Sequence, residues 1–262
     1  MYAIRLAPDA GDAAFRSAVR GALAAEIRPA DLAFTGLDDP SLFPDLPPGA
    51  GDAGIRVPRG FDGLLKDAIC HRAPDRFALL YDVLWRTLHG APHLVSNAAD
   101  PAVARLGTYA RNVRRDIHKM HAFLRFRAQR VDGRDLFVAW FEPQHHILRR
   151  AVPFFADRFA AMDWLIATPE GTALWRDREL VFGPGVSKPT AVEDGVLDDL
   201  WTTYYRTTFN PARLRVKAMT SEMPRHYWKN MPEAAAIPAL VAGARQRTED
   251  MEERAPDAAP AF

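Results

Sequence analysis

The residues whose types and spacing could do chemistry lie between positions 111 and 146. His118 and His121 stand at i, i+3, so a helix presents both imidazoles on one side, and Glu142, His145 and His146 follow shortly after. Two chemistries use such a set. Imidazoles can hold a metal ion, with His118, His121 and His145 as ligands. Alternatively, His118 and Glu142 form an acid–base pair with Arg125 beside them, a catalytic set that needs no metal. Spacing does not force these side chains together, and the pattern favours a polar cluster facing an anion, with no metal and no cofactor. Stronger catalytic signatures are absent. There is no Walker loop, no Gly-x-Gly-x-x-Gly after a strand, no His-Glu-x-x-His and no Gly-x-Ser-x-Gly. With Cys70 as the one cysteine, the chain has no ligand set for an iron–sulfur cluster of its own.

Charge surrounds these residues unevenly. The net charge is +1, yet residues 101–130 hold eight basic residues against the single acid Asp116, a local excess of +7. Residues 210–230 add Arg213, Arg215, Lys217, Arg225 and Lys229 against Glu222, an excess of +4. Concentrated positive charge is the footprint a polyanion uses. The expected nucleic-acid contacts are Arg111, Arg114, Arg115, Lys119 and Arg127 in the first run. In the second they are Arg213, Arg215 and Lys217, with Trp228 as a stacking ring. The alternatives are a solvated face and, for Trp228, a place in the core.

Periodicity predicts the elements that position them. Tyr2–Leu6 alternates as a strand, Ala13–Ala25 reads as a helix, and the Pro/Gly-rich stretch running to Pro58 is a linker. Helical spacing follows in Phe61, Leu64, Leu65, Ala68 and Ile69, again from Pro74, and again from Asp100-Pro101. In that third helix Leu106, Tyr109, Ala110, Val113, Ile117 and Met120 form one stripe, while Arg111, Arg114, Arg115 and His118 gather on another side. The period then falls to two across 123–141, with Asp132-Gly133 as a two-residue hairpin turn. That register sets Arg127 opposite Val138 and Arg125 opposite Trp140, and offers Glu142 as the carboxylate for Arg125. Short strands are expected within 164–182 and helices again towards the C-terminus. The predicted class is α+β, a helical bundle packed on a small antiparallel sheet. Its parts are a segment 1–58, a main domain 59–243 and a disordered tail 244–262.

Particular runs carry a family resemblance. They are Arg114-Arg-Asp-Ile-His-Lys-Met-His-Ala-Phe-Leu-Arg-Phe-Arg127, Phe137-Val-Ala-Trp-Phe-Glu-Pro-Gln-His-His-Ile147, Val152-Pro-Phe-Phe-Ala-Asp-Arg-Phe159 and Asn210-Pro-Ala-Arg-Leu-Arg-Val-Lys-Ala-Met219, with Cys70-His-Arg-Ala-Pro-Asp-Arg-Phe-Ala-Leu-Leu-Tyr81 upstream. With them the chain, up to about 243, resembles a domain-of-unknown-function family of DNA-metabolism and DNA-repair proteins. The resemblance implies DNA as a partner. It also implies a radical S-adenosylmethionine (radical SAM) DNA-repair protein encoded alongside, or a UdgX-type uracil-DNA glycosylase to which such domains are fused. It carries over no catalytic residue. A hydrolase or lyase acting on nucleic acid through the His/Glu set, or a protein-binding adaptor, are the rival readings. The lone cysteine and the lack of an export signal point to a cytoplasmic setting, and no apolar run approaches the roughly 18 residues that span a bilayer.

Overall fold

Spacing of three to four becomes helix and alternation becomes strand in the computed structural model, which describes residues 1–46, 59–131, 134–187 and 223–244. The chain forms two compact units, Met1–His118 with Pro143–Ala151, and Lys119–Glu142 with Val152–Phe262. Of the linker expected from Asp38 to Pro58, residues 47–58 lie outside the described residues, as do the turn residues Asp132 and Gly133 and the tail after 244.

In the first unit, strands β1 (Tyr2–Arg5) and β2 (Leu32–Thr35) pair in parallel, with helix α1 (Asp12–Ala24) between them in sequence. Helices α2 (Arg59–Ala68), α3 (Arg76–Leu88) and α4 (Pro101–Phe123) follow, α4 belonging to this unit as far as His118. The apolar stripes read from the sequence converge on one core, in which Phe15, Phe61, Leu65, Leu80, Tyr81 and Leu106 are fully buried. Phe15, Phe34 and Phe77 pack with ring centroids 6.0–6.2 Å apart, so the N-terminal strand-helix segment shares its core with α2–α4. Each such side chain contributes about 1.5–3 kcal/mol by leaving water. Arg76 is buried but satisfied by carbonyls. It donates to Ile69 O at 2.9 Å, to Ala73 O at 3.0 Å and to Pro8 O, which locks the α2–α3 turn onto the chain before α1.

The second unit takes up the end of α4, the hairpin β3 (Phe126–Val131) and β4 (Arg134–Trp140), and α5 (Leu148–Arg158) from Val152 onward. Strands β5 (Trp164–Ala167), β6 (Gly171–Arg176) and β7 (Glu179–Pro184) follow, then α6 (Arg225–Trp228) and α7 (Ile237–Ala242). The sheet order is β3-β4-β5-β6-β7. Val131 opposes Arg134 and Arg127 opposes Val138, the register that a two-residue loop at 132–133 requires. The expected antiparallel sheet is corrected to a mixed one, because β4 and β5 run parallel. A tight turn can join only antiparallel neighbours, and here the intervening α5 returns the chain to the starting end. Alternation in a short strand carries no direction, so the sequence could not show this. Fully buried Trp164 meets Phe126 at 6.1 Å and Phe155 at 6.5 Å, packing α5 against the sheet. Leu136 and Val138 are buried as well as Ala139 and Phe141, so both faces of this end of the hairpin are covered.

Candidate nucleic-acid interface

Helix α4 presents the charge. Steps of three and four residues return to one helical face, and Arg111, Arg114, Arg115 and His118 all emerge away from buried Leu106, Tyr109, Ala110 and Val113, the three arginines exposed. Asp100 fixes where the helix begins. Its Oδ1 accepts the N–H groups of Ala102 at 3.0 Å and Val103 at 3.2 Å, while Pro101 fills the first turn. Arg86 hydrogen-bonds the same carboxylate and is the main cause holding Asp100 below the ordinary carboxylate range.

The guanidiniums on this face differ in how far they are committed. Among the described residues no carboxylate pairs with Arg111 or Arg115, and Arg111 Nη2 donates to Thr108 Oγ1 at 2.8 Å. Arg114 stands 3.7 Å from Asp67 Oδ2, a loose pair, and Arg150 meets the other oxygen at 3.3 Å. Arg105 is more firmly held, with Nη2 2.8 Å from Asp75 Oδ2 and Nε donating to the Tyr109 hydroxyl at 2.8 Å. Lys119, expected on the surface, is buried. Its helical angle lies close to that of Arg115, so periodicity within α4 does not foretell the burial; Lys119 is the first residue of the second unit.

A cavity of about 620 Å³ lies against this face, lined by α2, the turn at 95–98 and α4. Small residues dominate it, with Gly60, Gly63, Gly107, Ala98, Ala104 and Ala110 in its walls. Arg111 and Arg114 line it too and, being exposed, stand at its mouth, while Asp67 is a buried carboxylate in its lining.

The same unit holds a column of rings. His71 lies on Tyr109 at 3.9 Å and 7°, and on His145 at 4.2 Å and 29°. Burial first, and the Arg76 charge second, push His71 below its usual 6.5, so the ring is neutral at neutral pH. Asp116 Oδ2 accepts the N–H groups of Gln144 at 2.8 Å and His145 at 2.9 Å and so fixes the loop that supplies the upper ring. Burial pushes the thiol of Cys70, next along, up to about 11, which keeps it protonated at neutral pH.

The remaining expected residues lie in the second unit. His121 stacks on Phe154 at 4.1 Å and 21°. Together with the seat of His145 on His71, this places two of the three expected metal ligands against rings. Among the described residues no three His, Cys, Asp or Glu side chains form a metal-holding group. Arg125 precedes β3 rather than pairing in the ladder. The carboxylate that closes on it is Glu233, whose Oε1 takes Nε at 3.1 Å and Nη2 at 2.6 Å, with side-chain exposures of 11% and 2%. This corrects the expected Arg125–Glu142 pairing. Glu142 instead accepts the Trp140 indole N–H at 2.9 Å and meets Lys229 Nζ at 2.6 Å. Near them His226 is lowered by partial burial, then by Lys119 and Lys229, with Glu142 opposing. Arg127 is half-buried opposite Val138. Trp228 spends its indole N–H on Met223 O at 3.0 Å, and Arg225 lies 5.7 Å over its ring. Arg213, Arg215 and Lys217 lie outside the described residues.

Sequence reasoning missed Asp116, Asp67, His71 and Glu233. Asp116 had a signal, as a lone acid at i+3 from Val113 and i+7 from Tyr109, on the apolar stripe. Asp67 had a weaker one, next to Ala68 in α2. Glu233 had none, being 108 residues from the arginine it neutralises.

The family model described as a domain of unknown function, DUF4130, matches residues 74–233, and the chain belongs to that family. No curated protein matches the chain, and no solved structure does.

Proposed function

We propose that this DUF4130-family chain is a DNA-binding module of a DNA-repair or DNA-metabolism system, docking DNA phosphates on the exposed face of α4. The observation that carries the reading is the state of Arg111 and Arg115. Both are exposed on one face of a capped helix, and no carboxylate neutralises them among the described residues. Like charges on neighbouring turns repel, so such a face costs stability unless an outside anion offsets it. DNA supplies that anion as a dense line of phosphates, and releasing its condensed counterions drives the association. Arg114, loosely held by Asp67, extends the face at little energetic cost.

The resemblance to repair-associated proteins supports the biological setting. A radical S-adenosylmethionine protein or a UdgX-type glycosylase would meet this chain on shared DNA. Base excision itself is not part of the proposal, since the chain carries Cys70 alone where a cluster-bearing glycosylase needs a cysteine set.

Fluorescence anisotropy of a labelled duplex tests the proposal. Reversing both charges, Arg111→Glu with Arg115→Glu, weakens binding and flattens its dependence on salt, by roughly 0.9 in log–log slope for each phosphate left unneutralised. Unchanged affinity with an unchanged slope would overturn it.

A further inference from the structure

We infer that the cavity between α2 and α4 is a nucleotide subsite, which takes one base out of the stack while Arg111 and Arg114 hold its phosphate. The inference rests on the DNA-docking reading and adds a substrate preference to it.

The electrostatics of the cavity decide what fits. Its volume of about 620 Å³ falls in the range of roughly 300–1,000 Å³ typical of ligand pockets. Positive charge stands at the mouth, in the exposed Arg111 and Arg114, and negative charge in the wall, on buried Asp67. An anion that entered fully would meet the Asp67 carboxylate, and a cation would have to pass two guanidiniums. The complementary ligand carries its anion at one end and uncharged N–H donors at the other. A nucleotide has that polarity, with phosphate for the arginines and a base edge for the carboxylate. Asp67 keeps acceptor capacity for it, because its contacts with Arg114 at 3.7 Å and Arg150 at 3.3 Å are long and a carboxylate accepts at several positions.

The walls suit a flat ring. Gly63 lies inside α2 and Gly107 inside α4, where glycine is among the poorest helix formers, and Gly60 is in the first turn of α2. Packing does not demand them. A Cβ at Gly63 would meet nothing within 4 Å, and at Gly60 and Gly107 the nearest side-chain atom is an ordinary 3.7 Å away. What the missing side chains leave is open space facing the cavity, beside the aliphatic Leu64, Val95 and Val103, the apolar lining common in ligand pockets. Beyond the mouth, exposed Arg115 continues the line of cations, as a strand entering by one nucleotide would need.

Asp67 also sets a base preference. Cytosine, adenine and guanine present amino N–H groups to a carboxylate. Thymine presents one N–H between two carbonyl oxygens, which Asp67 repels. The chain should therefore bind short oligo(dC) more tightly than oligo(dT), by roughly tenfold.

The test uses the full chain and three probes: oligo(dC), oligo(dT) and free dCMP. Gly63→Leu adds a side chain where a Cβ meets nothing within 4 Å and improves helix propensity, and Gly63→Ala serves as the control for folding. The expected result is that Gly63→Leu erases the dC-over-dT difference and leaves a common residual affinity from the α4 face, while Gly63→Ala keeps most of the difference. Measurable but equal binding of the two oligonucleotides by the unaltered chain overturns the subsite, as does a preference that survives Gly63→Leu. Either outcome leaves phosphate docking on α4 standing. Saturable dCMP binding that Gly63→Leu abolishes, with no affinity for any oligonucleotide, would uphold the nucleotide subsite and remove the DNA-docking reading. The two proposals thus fail separately.

Discussion

Two sets of arginines in this protein look alike in sequence and differ in what surrounds them. Arg125, in the second unit, is buried against Glu233 and spends another N–H on the Ala122 carbonyl at 2.8 Å. Arg111 and Arg115, in the first unit, are exposed and have no carboxylate among the described residues. All three belong to one run with an excess charge of +7. A buried, neutralised guanidinium is committed to holding its own unit together, and an exposed, unneutralised one is available to something else. Charge density alone therefore overstates an interface, and the carboxylate partners decide which cations belong to it.

The comparison breaks most visibly in stability. Arg125→Ala strands the Glu233 carboxylate in the interior, where losing one partner of a buried pair costs about 3–5 kcal/mol. Arg111→Ala should stay within about 0.5 kcal/mol of the unaltered chain, as exposed substitutions do. Chemical denaturation measures both, and similar midpoints for the two variants would erase the distinction between these arginines.

A smaller loss is expected at Asp116. Asp116→Ala leaves the Gln144 and His145 N–H groups without their acceptor and costs about 1–3 kcal/mol. A melting temperature unchanged by that substitution would show that the loop does not depend on this side chain. Smaller still is Glu142→Gln. With Lys229 half-exposed, the pair is worth about 1 kcal/mol or less, screened by solvent. A loss comparable to that of Arg125→Ala would move Glu142 into the buried, structural class.

The mildest effect is on pH dependence. In the folded chain His71 sits below its usual 6.5, so as pH falls the unfolded chain takes up this proton first. Stability is complete above that value and declines as pH drops below it. Substituting His71→Gln should flatten this part of the urea-midpoint profile. A profile that keeps its slope in the variant assigns the acid sensitivity to other groups, His226 among them.

The sequence made the elements legible wherever one side chain reports on its own neighbours. The stripe through Leu106, Tyr109, Ala110 and Val113 marks α4, and the alternation around 126–141 marks the hairpin with its register. Both are local patterns of period 3.6 and 2. The parallel β4–β5 pairing and the Arg125–Glu233 ion pair are not local, and no spacing rule reaches them. The α4 face was legible as charge. Its cavity was not, since Gly60, Gly63 and Gly107 acquire meaning only once α2 and α4 face each other. Spacing likewise could not foretell that His121, one turn on from His118, stacks on Phe154.

The most direct test of the central claim observes the arginine side chains themselves. In ¹H–¹⁵N spectra of the Nε–Hε groups, adding a short DNA duplex should shift or broaden the resonances of Arg111, Arg114 and Arg115 and leave that of Arg125 in place, bonded to Glu233. Saturable movement confined to the α4 set is the predicted result. If the DNA binds and the Arg111 and Arg115 resonances do not move, the interface lies elsewhere and the exposed face of α4 is not what meets DNA.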